Sequence, residues 1–299
     1  MVDLERMDGV IVVDKPQGWT SHDVVGKMRR LAGTKRVGHL GTLDPMATGV
    51  LPIVINKATR LSQFYLKADK VYEAMVVLGQ ATNSYDADGE PVGEVCPCAL
   101  SLAQIEEQLD KFRGVLEQMP PAVSAKKING VPAYKLARQN KPVVLQAVQV
   151  TVHRLEVLAY CDGRLRIIVD CTAGTYVRSI AHDLGQAIGC GAHLAELRRT
   201  RSGCFDLAQA HSLEALAVLS GEGRLAEVLQ RNRDLLPEMP CERVDDITAA
   251  QIRNGRDFHT SPFHGQHGSK YVKAVTADGE VLAIGEARMP NLYHPMLVL

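Results

Sequence analysis

The 299-residue sequence has no excess charge of either sign, since 34 Lys+Arg face 34 Asp+Glu. That excludes steering of a polyanion by the molecule as a whole and leaves local patches to do it. Aromatic residues are scarce, at 5%, with a single tryptophan. The seven cysteines are scattered and odd in number, which predicts a reducing, cytoplasmic setting rather than a disulfide framework. Cys96 and Cys98 are one residue apart, and no second pair answers them, so no structural zinc site is expected. Apolar runs such as VLPIVI are far too short to span a membrane. Asp3 and Glu5 near the start predict that no secretory leader is present. G-x-G-x-x-G, P-loop, nucleophile-elbow and H-E-x-x-H patterns are all missing, which disfavours dinucleotide, nucleotide, serine-hydrolase and zinc-protease chemistry. No cofactor and no metal are expected. An H-x4-H-x2-H pattern, His259, His264 and His267, has no cysteine or carboxylate near enough to complete a ligand set.

The elements that are present alternate irregularly. GVIVVDKP (9–16), YEAMVVLG (72–79) and RLRIIVDC (164–171) read as strands. TSHDVVGKMRRLAG (20–33) reads as a helix capped by Thr20 with Asp23 and ended by Gly33. SLAQIEEQLDKFRGVLEQ (101–118) places Ile105, Leu109, Phe112 and Leu116 at helical spacing behind a Ser101/Gln104 capping box, which predicts one helix across the stretch. GTYVRSIAHDLGQAIG (174–189) reads as a turn entering a helix. Without a regular βαβ beat, the expected class is α+β. Near LLPEMPC (235–241) the chain turns short and strand-rich, and YVKAVTADGEVLAIGEA (271–287) predicts a hairpin. The boundary is placed between 1–238 and 239–299.

Positive charge gathers in three acid-free runs. KMRRLAGTKR (27–36) and KKINGVPAYKLARQNK (126–141) carry five basic residues each, and LRRTRSG (197–203) adds Arg198, Arg199 and Arg201. Each alone reads as a solvated face; together they are the expected footprint of a phosphate backbone.

One stretch concentrates unusual residues. RVGHLGTLDPMATGVLP (36–52) holds three glycines and one carboxylate, Asp44, which the following proline pushes into extended or turn backbone. A DP dipeptide alone would be a turn. The whole string GHLGTLDPMATGVLP, however, resembles the signature of the TruB family of tRNA pseudouridine synthases. VDKPQGWTSHDVV (13–25), YEAMVVLGQATNSYDADGE (72–90) and GTYVRSIAHDLGQAIGCGAHLAELRR (174–199) resemble that family's other motifs, in its order.

The resemblance implies a catalytic domain built on a mixed, mainly antiparallel sheet flanked by helices and loops, followed by a small PUA-like β-barrel. It implies isomerisation of uridine 55 in the T loop of tRNA, with Asp44 as the catalytic residue. Covalent attack on C1′ or C6 and abstraction of the 2′ proton all remain drawable. Tyr72 matches the tyrosine stacked on the target base, and Arg178 the arginine paired with the aspartate. His39 matches the histidine near the vacated base position, while Tyr176 and Leu197 match pocket-lining residues. Lys15 is expected at the active-site floor or on a phosphate. An insertion at about 124–150 is expected to grip the T arm through Lys126, Lys127, Lys135 and Arg138, with Tyr134 available to stack. The partner is then the tRNA T stem-loop, bound by a monomer that needs no protein partner. The alternative is an RNA-binding or RNA-folding module without essential catalysis, which the basic runs serve equally well.

Overall fold

The computed structural model describes residues 8–121, 127–128, 131–132, 146–261 and 269–299. Its centre is a ten-stranded mixed sheet. The strands that matter for the site are β1 (Gly9–Lys15), β2 (Val37–His39), β3 (Thr48–Ile55), β4 (Lys70–Leu78), β5 (Gly114–Gln118), β6 (Val148–Cys161), β7 (Arg164–Cys171) and β8 (Ala192–Ser202). Across the sheet the order is Gln230–Arg231, β1, β3, β8, β4, β7, β6, β5, with β2 on β3. Every neighbouring pair is antiparallel except β3 and β8, which run parallel through Arg198↔Thr48 and Arg199↔Gly49. Gly49 has φ +99°, and a Cβ there would lie 2.2 Å from the Arg199 carbonyl oxygen, so only glycine lets these strands meet.

One face is covered by helices that include α1 (Ser21–Leu31), α2 (Leu102–Leu109) and α3 (Val177–Ile188). Val24, Val25 and Met28 of α1, Ile105 and Leu109 of α2, and Ile180 and Leu184 of α3 pack on Ile11, Leu51, Ile53, Val76 and Ile167 of the sheet. The opposite face of β1 and β3, through Val10, Val12, Val50 and Val54, joins a core with Ala58, Leu61 and Tyr65 that also takes in Val281, Ile284 and Leu297 of a second sheet. Burial on both faces is why these two strands read as unbroken apolar runs. The second sheet is small, open and five-stranded: β9 (Cys241–Arg243), β10 (Phe258–His259), β11 (Tyr271–Val275), β12 (Val281–Met289) and β13 (Leu292–Val298), in the order β9-β11-β12-β13-β10. It stands where a small PUA-like β-barrel is expected and is an open sheet rather than a closed barrel; β11–β12 is the expected hairpin.

The capping box of α1 is formed by Thr20 and Asp23. The predicted helix across 101–118 is not: α2 stops at Leu109, one 3-10 turn follows, and the chain becomes strand β5. Gly114 at φ +84° breaks the helical path. Leu116 then pairs opposite Val150, where β-ladder bonds outweigh helical spacing.

Lys126, Tyr134, Lys135 and Arg138 lie outside the described residues, as do His264 and His267. The backbone of Lys127–Ile128 pairs antiparallel with Val131–Pro132. No helix among the described residues is long and apolar enough to cross a membrane.

Candidate active site

Asp44 sits in the loop between β2 and β3, held from three directions. From α1, Ser21 Oγ donates to the Leu43 carbonyl at 3.1 Å and accepts from the Leu43 N–H at 2.8 Å. The Gly18 N–H donates to the Pro45 carbonyl at 2.8 Å. From β8, Arg199 donates to the carbonyls of Val50 at 2.7 Å and Gly41 at 3.0 Å, and more weakly to Thr42 at 3.5 Å. A loop fixed by so many groups presents its carboxylate in one direction, as catalysis requires.

The carboxylate meets Arg178, in the first turn of α3. Arg178 Nε lies 3.0 Å from Asp44 Oδ2, and Nη1 lies 3.1 Å from Asp86 Oδ2 while donating to the Ser84 carbonyl at 3.2 Å. The arginine and Asp86 side chains are 4% and 7% exposed, whereas Asp44 is 35% exposed, towards a cavity of about 270 Å³. Burial pushes the Asp44 carboxyl above its usual range; Arg178 opposes that, and Asp86 adds to it. The 84–86 segment is braced by Tyr85, at φ +67°, whose ring stacks on His182 of α3 with centroids 3.8 Å apart.

Asp44, Tyr72, Tyr176, Arg178 and Leu197 line this one cavity, together with Lys70 and Arg199. Burial raises the Tyr72 phenol above its ordinary value, opposed by Arg199, which hydrogen-bonds it. The phenol is therefore neutral at physiological pH and anchored by a permanent cation. Tyr176 precedes α3, and its backbone is clamped by Gln118 of β5: Tyr176 N–H donates to Oε1 at 2.7 Å, and Nε2 donates to the Tyr176 carbonyl at 3.0 Å. His39 ends β2, half-buried, and does not line the cavity. Burial, with Arg199 next, lowers its pKa, so the imidazole is neutral near pH 7.

One of the two readings of Lys15 falls away, and one basic run needs correction. Lys15 is fully buried and cannot reach an RNA phosphate. Its Nζ donates to the carbonyls of Pro16, Trp19 and Pro45, which makes it the floor beneath the Asp44 loop. Burial lowers its pKa to about 8, with Asp44 opposing. The third basic run is also no phosphate footprint. Arg199 is 1% exposed inside the site, Arg198 bonds Asp14 at 2.7 Å, and Arg201 bonds Asp170 at 3.0 Å. The acids that neutralise them come from other strands, where a local reading cannot see them. Asp86, Gln118 and Arg199 were not singled out for the site. Asp86 lies within the 72–90 motif.

The arrangement suits a nucleobase. The cavity holds a carboxylate that a buried guanidinium contacts, a neutral phenol and, among its lining residues, no thiol. The loop that carries this carboxylate runs between two strands of the mixed sheet. Residues 29–177 match the family described as TruB family pseudouridylate synthase (N terminal domain), and residues 178–233 match the tRNA pseudouridylate synthase B C-terminal domain. The chain is similar to the tRNA pseudouridine synthase B of Solibacter usitatus, 58% identical over 98% of this chain and 100% of the relative. It is 47% identical to that of Ectopseudomonas mendocina over 94% of this chain and 92% of the relative. Among solved structures it resembles an H/ACA RNP bound to a substrate RNA containing 2′-deoxyuridine, with TM-score 0.73, 25% identity, and coverage of 100% of this chain and 87% of that one. The chain belongs to the TruB family and is a tRNA pseudouridine synthase.

Proposed function

We propose that the substrate position is uridine 55 of the T loop, and that Asp44 is the catalytic residue. The observation that carries this is the Asp44–Arg178 ion pair at the wall of a nucleobase-sized cavity. The uridine flips out of its loop and lies between Tyr72 and the Asp44 carboxylate. The C1′–N1 bond breaks, the freed base turns, and a C5–C1′ bond forms; the proton on C5 leaves and N1 ends protonated. Arg178 keeps Asp44 ionised against the cost of burial. Tyr72 stacks on the base near C5, and Tyr176 and Leu197 confine its rotation. His39, neutral, fills the place the base vacates.

The segment carrying Lys126, Lys127, Lys135 and Arg138 grips the T-arm phosphates, residues 1–238 and 239–299 act as two domains, and the enzyme works as a cytoplasmic monomer. Tritium release from C5-labelled uridine in an unmodified tRNA transcript tests the central claim. Asp44→Asn is expected to lower release by more than about 10³-fold while tRNA affinity stays within a few fold. Release that maps outside the T loop, or equal loss of binding and release, would overturn the assignment.

A further inference from the structure

Beside the cleft lies an open groove of about 450 Å³ lined by Gly18, Trp19, His22, Asp23, Gly26 and Arg30. None of the six lines the catalytic cavity. His22, Gly26 and Arg30 follow at four-residue spacing and form one stripe along α1, opposite the buried Val24, Val25 and Met28. Gly26 is the floor, since a Cβ there would meet no atom within 4 Å. Trp19 is the chain's one tryptophan and is 36% exposed. Arg30 is exposed, has no ion-pair partner among the described residues, and belongs to the 27–36 run of five basic residues without an acid. Asp23, the groove's acid, is held by the Thr20 N–H at 3.0 Å and hydroxyl at 2.6 Å.

The groove is tied to the catalytic loop twice. The Gly18 N–H donates to the Pro45 carbonyl, and Lys15 Nζ bridges the carbonyls of Trp19 and Pro45. Whatever occupies the groove is thus registered against the residue next to Asp44.

We propose that this groove holds an unpaired nucleotide of the RNA substrate, a neighbour of the isomerised uridine, with its base stacked on Trp19 above Gly26 and its phosphate on Arg30. Indole, imidazole and guanidinium planes all stack on bases, and the basic run supplies the charge complement of the sugar-phosphate chain. The wall lacks the contiguous aliphatic surface that a protein helix or a membrane would bury.

Because Trp19 is the sole indole, intrinsic fluorescence reports on the groove directly. Titration with an unmodified tRNA transcript is expected to quench emission in step with binding. Trp19→Ala should raise Kd and KM about tenfold, leave kcat at saturation within twofold, and be largely rescued by Trp19→Phe. Gly26→Leu should fill the floor and weaken binding while raising the melting temperature, because leucine favours the helix; weaker binding then cannot come from unfolding. Arg30→Ala should reduce the slope of log K against log salt by about one.

Emission unchanged at saturating tRNA, from wild-type enzyme that isomerises that tRNA, would overturn the proposal and leave the catalytic assignment standing. So would wild-type affinity in Gly26→Leu. Emission that changes with protein concentration in the absence of RNA would overturn it in favour of a second copy of the chain.

Discussion

Arg178 and Arg224 each bridge two carboxylates, in opposite surroundings. Arg224 reaches Glu222 at 2.9 Å and Glu227 at 2.8 Å, with side-chain exposures of 54%, 49% and 55%. Arg178 makes slightly longer contacts, 3.0 and 3.1 Å, to Asp44 and Asp86 from a 4% exposed position. Distance alone would rank the surface set higher. Water and salt screen the surface set, whereas the buried set is held together because each ion is intolerable without the others. Only the buried set can also convert a neighbour's charge into a change in reactivity.

The largest test of that contrast is Arg178→Met. It leaves two carboxylates facing each other, and should abolish isomerisation and lower the free energy of unfolding by about 3–5 kcal/mol, read by urea denaturation. A loss of under about 1 kcal/mol would place the pair in the surface class after all.

Asp86→Asn comes next, with kcat expected to fall about 10–100-fold. Its sharper readout is pH. The Asp44 pKa is raised, by burial first, and Asp86 adds to that. If the ionised carboxylate is the working form, activity is lost as pH falls through that raised value. Removing Asp86 takes away a like charge and leaves Arg178 wholly to Asp44, so the acid limb of the single-turnover rate should move to lower pH. Movement to higher pH would contradict the electrostatic account.

Lys15→Met probes the floor. The folded pKa of Lys15 is about 8, against 10.5 unfolded. Between those values the unfolded chain binds more protons, so stability rises with pH. Lys70, buried and also lowered to about 8, contributes the same sign. The variant should therefore show a shallower rise in unfolding free energy between pH 8 and 10. An unchanged slope would mean that the Lys15 ammonium titrates as if it were in water. Last, Arg224→Ala should leave the melting temperature unmoved within error, and a clear drop would break the comparison.

The legible parts of this molecule are those whose cause is local. Thr20 and Asp23 announce a capping box three residues apart, the β1 run announces a buried strand, and Asp44-Pro45 announces a constrained carboxylate. Asp44, Tyr72, Tyr176, Arg178 and Leu197, inferred from resemblance, do converge on one cavity. What was misread depends on distant chain. Arg199 looks like a surface cation beside Arg198 and Arg201, and its burial follows from β8 inserting between β3 and β4. Lys15 is open to two readings, floor or phosphate, and the carbonyls of Trp19 and Pro45 around its ammonium select the floor. The helix expected across 101–118 was drawn past Gly114, where one left-handed residue outweighs two well-spaced apolar ones.

The clamp of Arg199 on the Asp44 loop also bears on the order of synthesis. Its three carbonyl acceptors lie 149, 157 and 158 residues earlier in the chain. At about 5–20 residues per second, the loop leaves the ribosome roughly 8–30 s before the arginine that shapes it. Asp44 thus waits for β8, and the parallel β3–β8 junction at Gly49 closes only when that late strand arrives. A nascent chain cut short before β8 carries every residue of the Asp44 signature but none of the three Arg199 hydrogen bonds that hold its loop, and it is expected to modify no RNA.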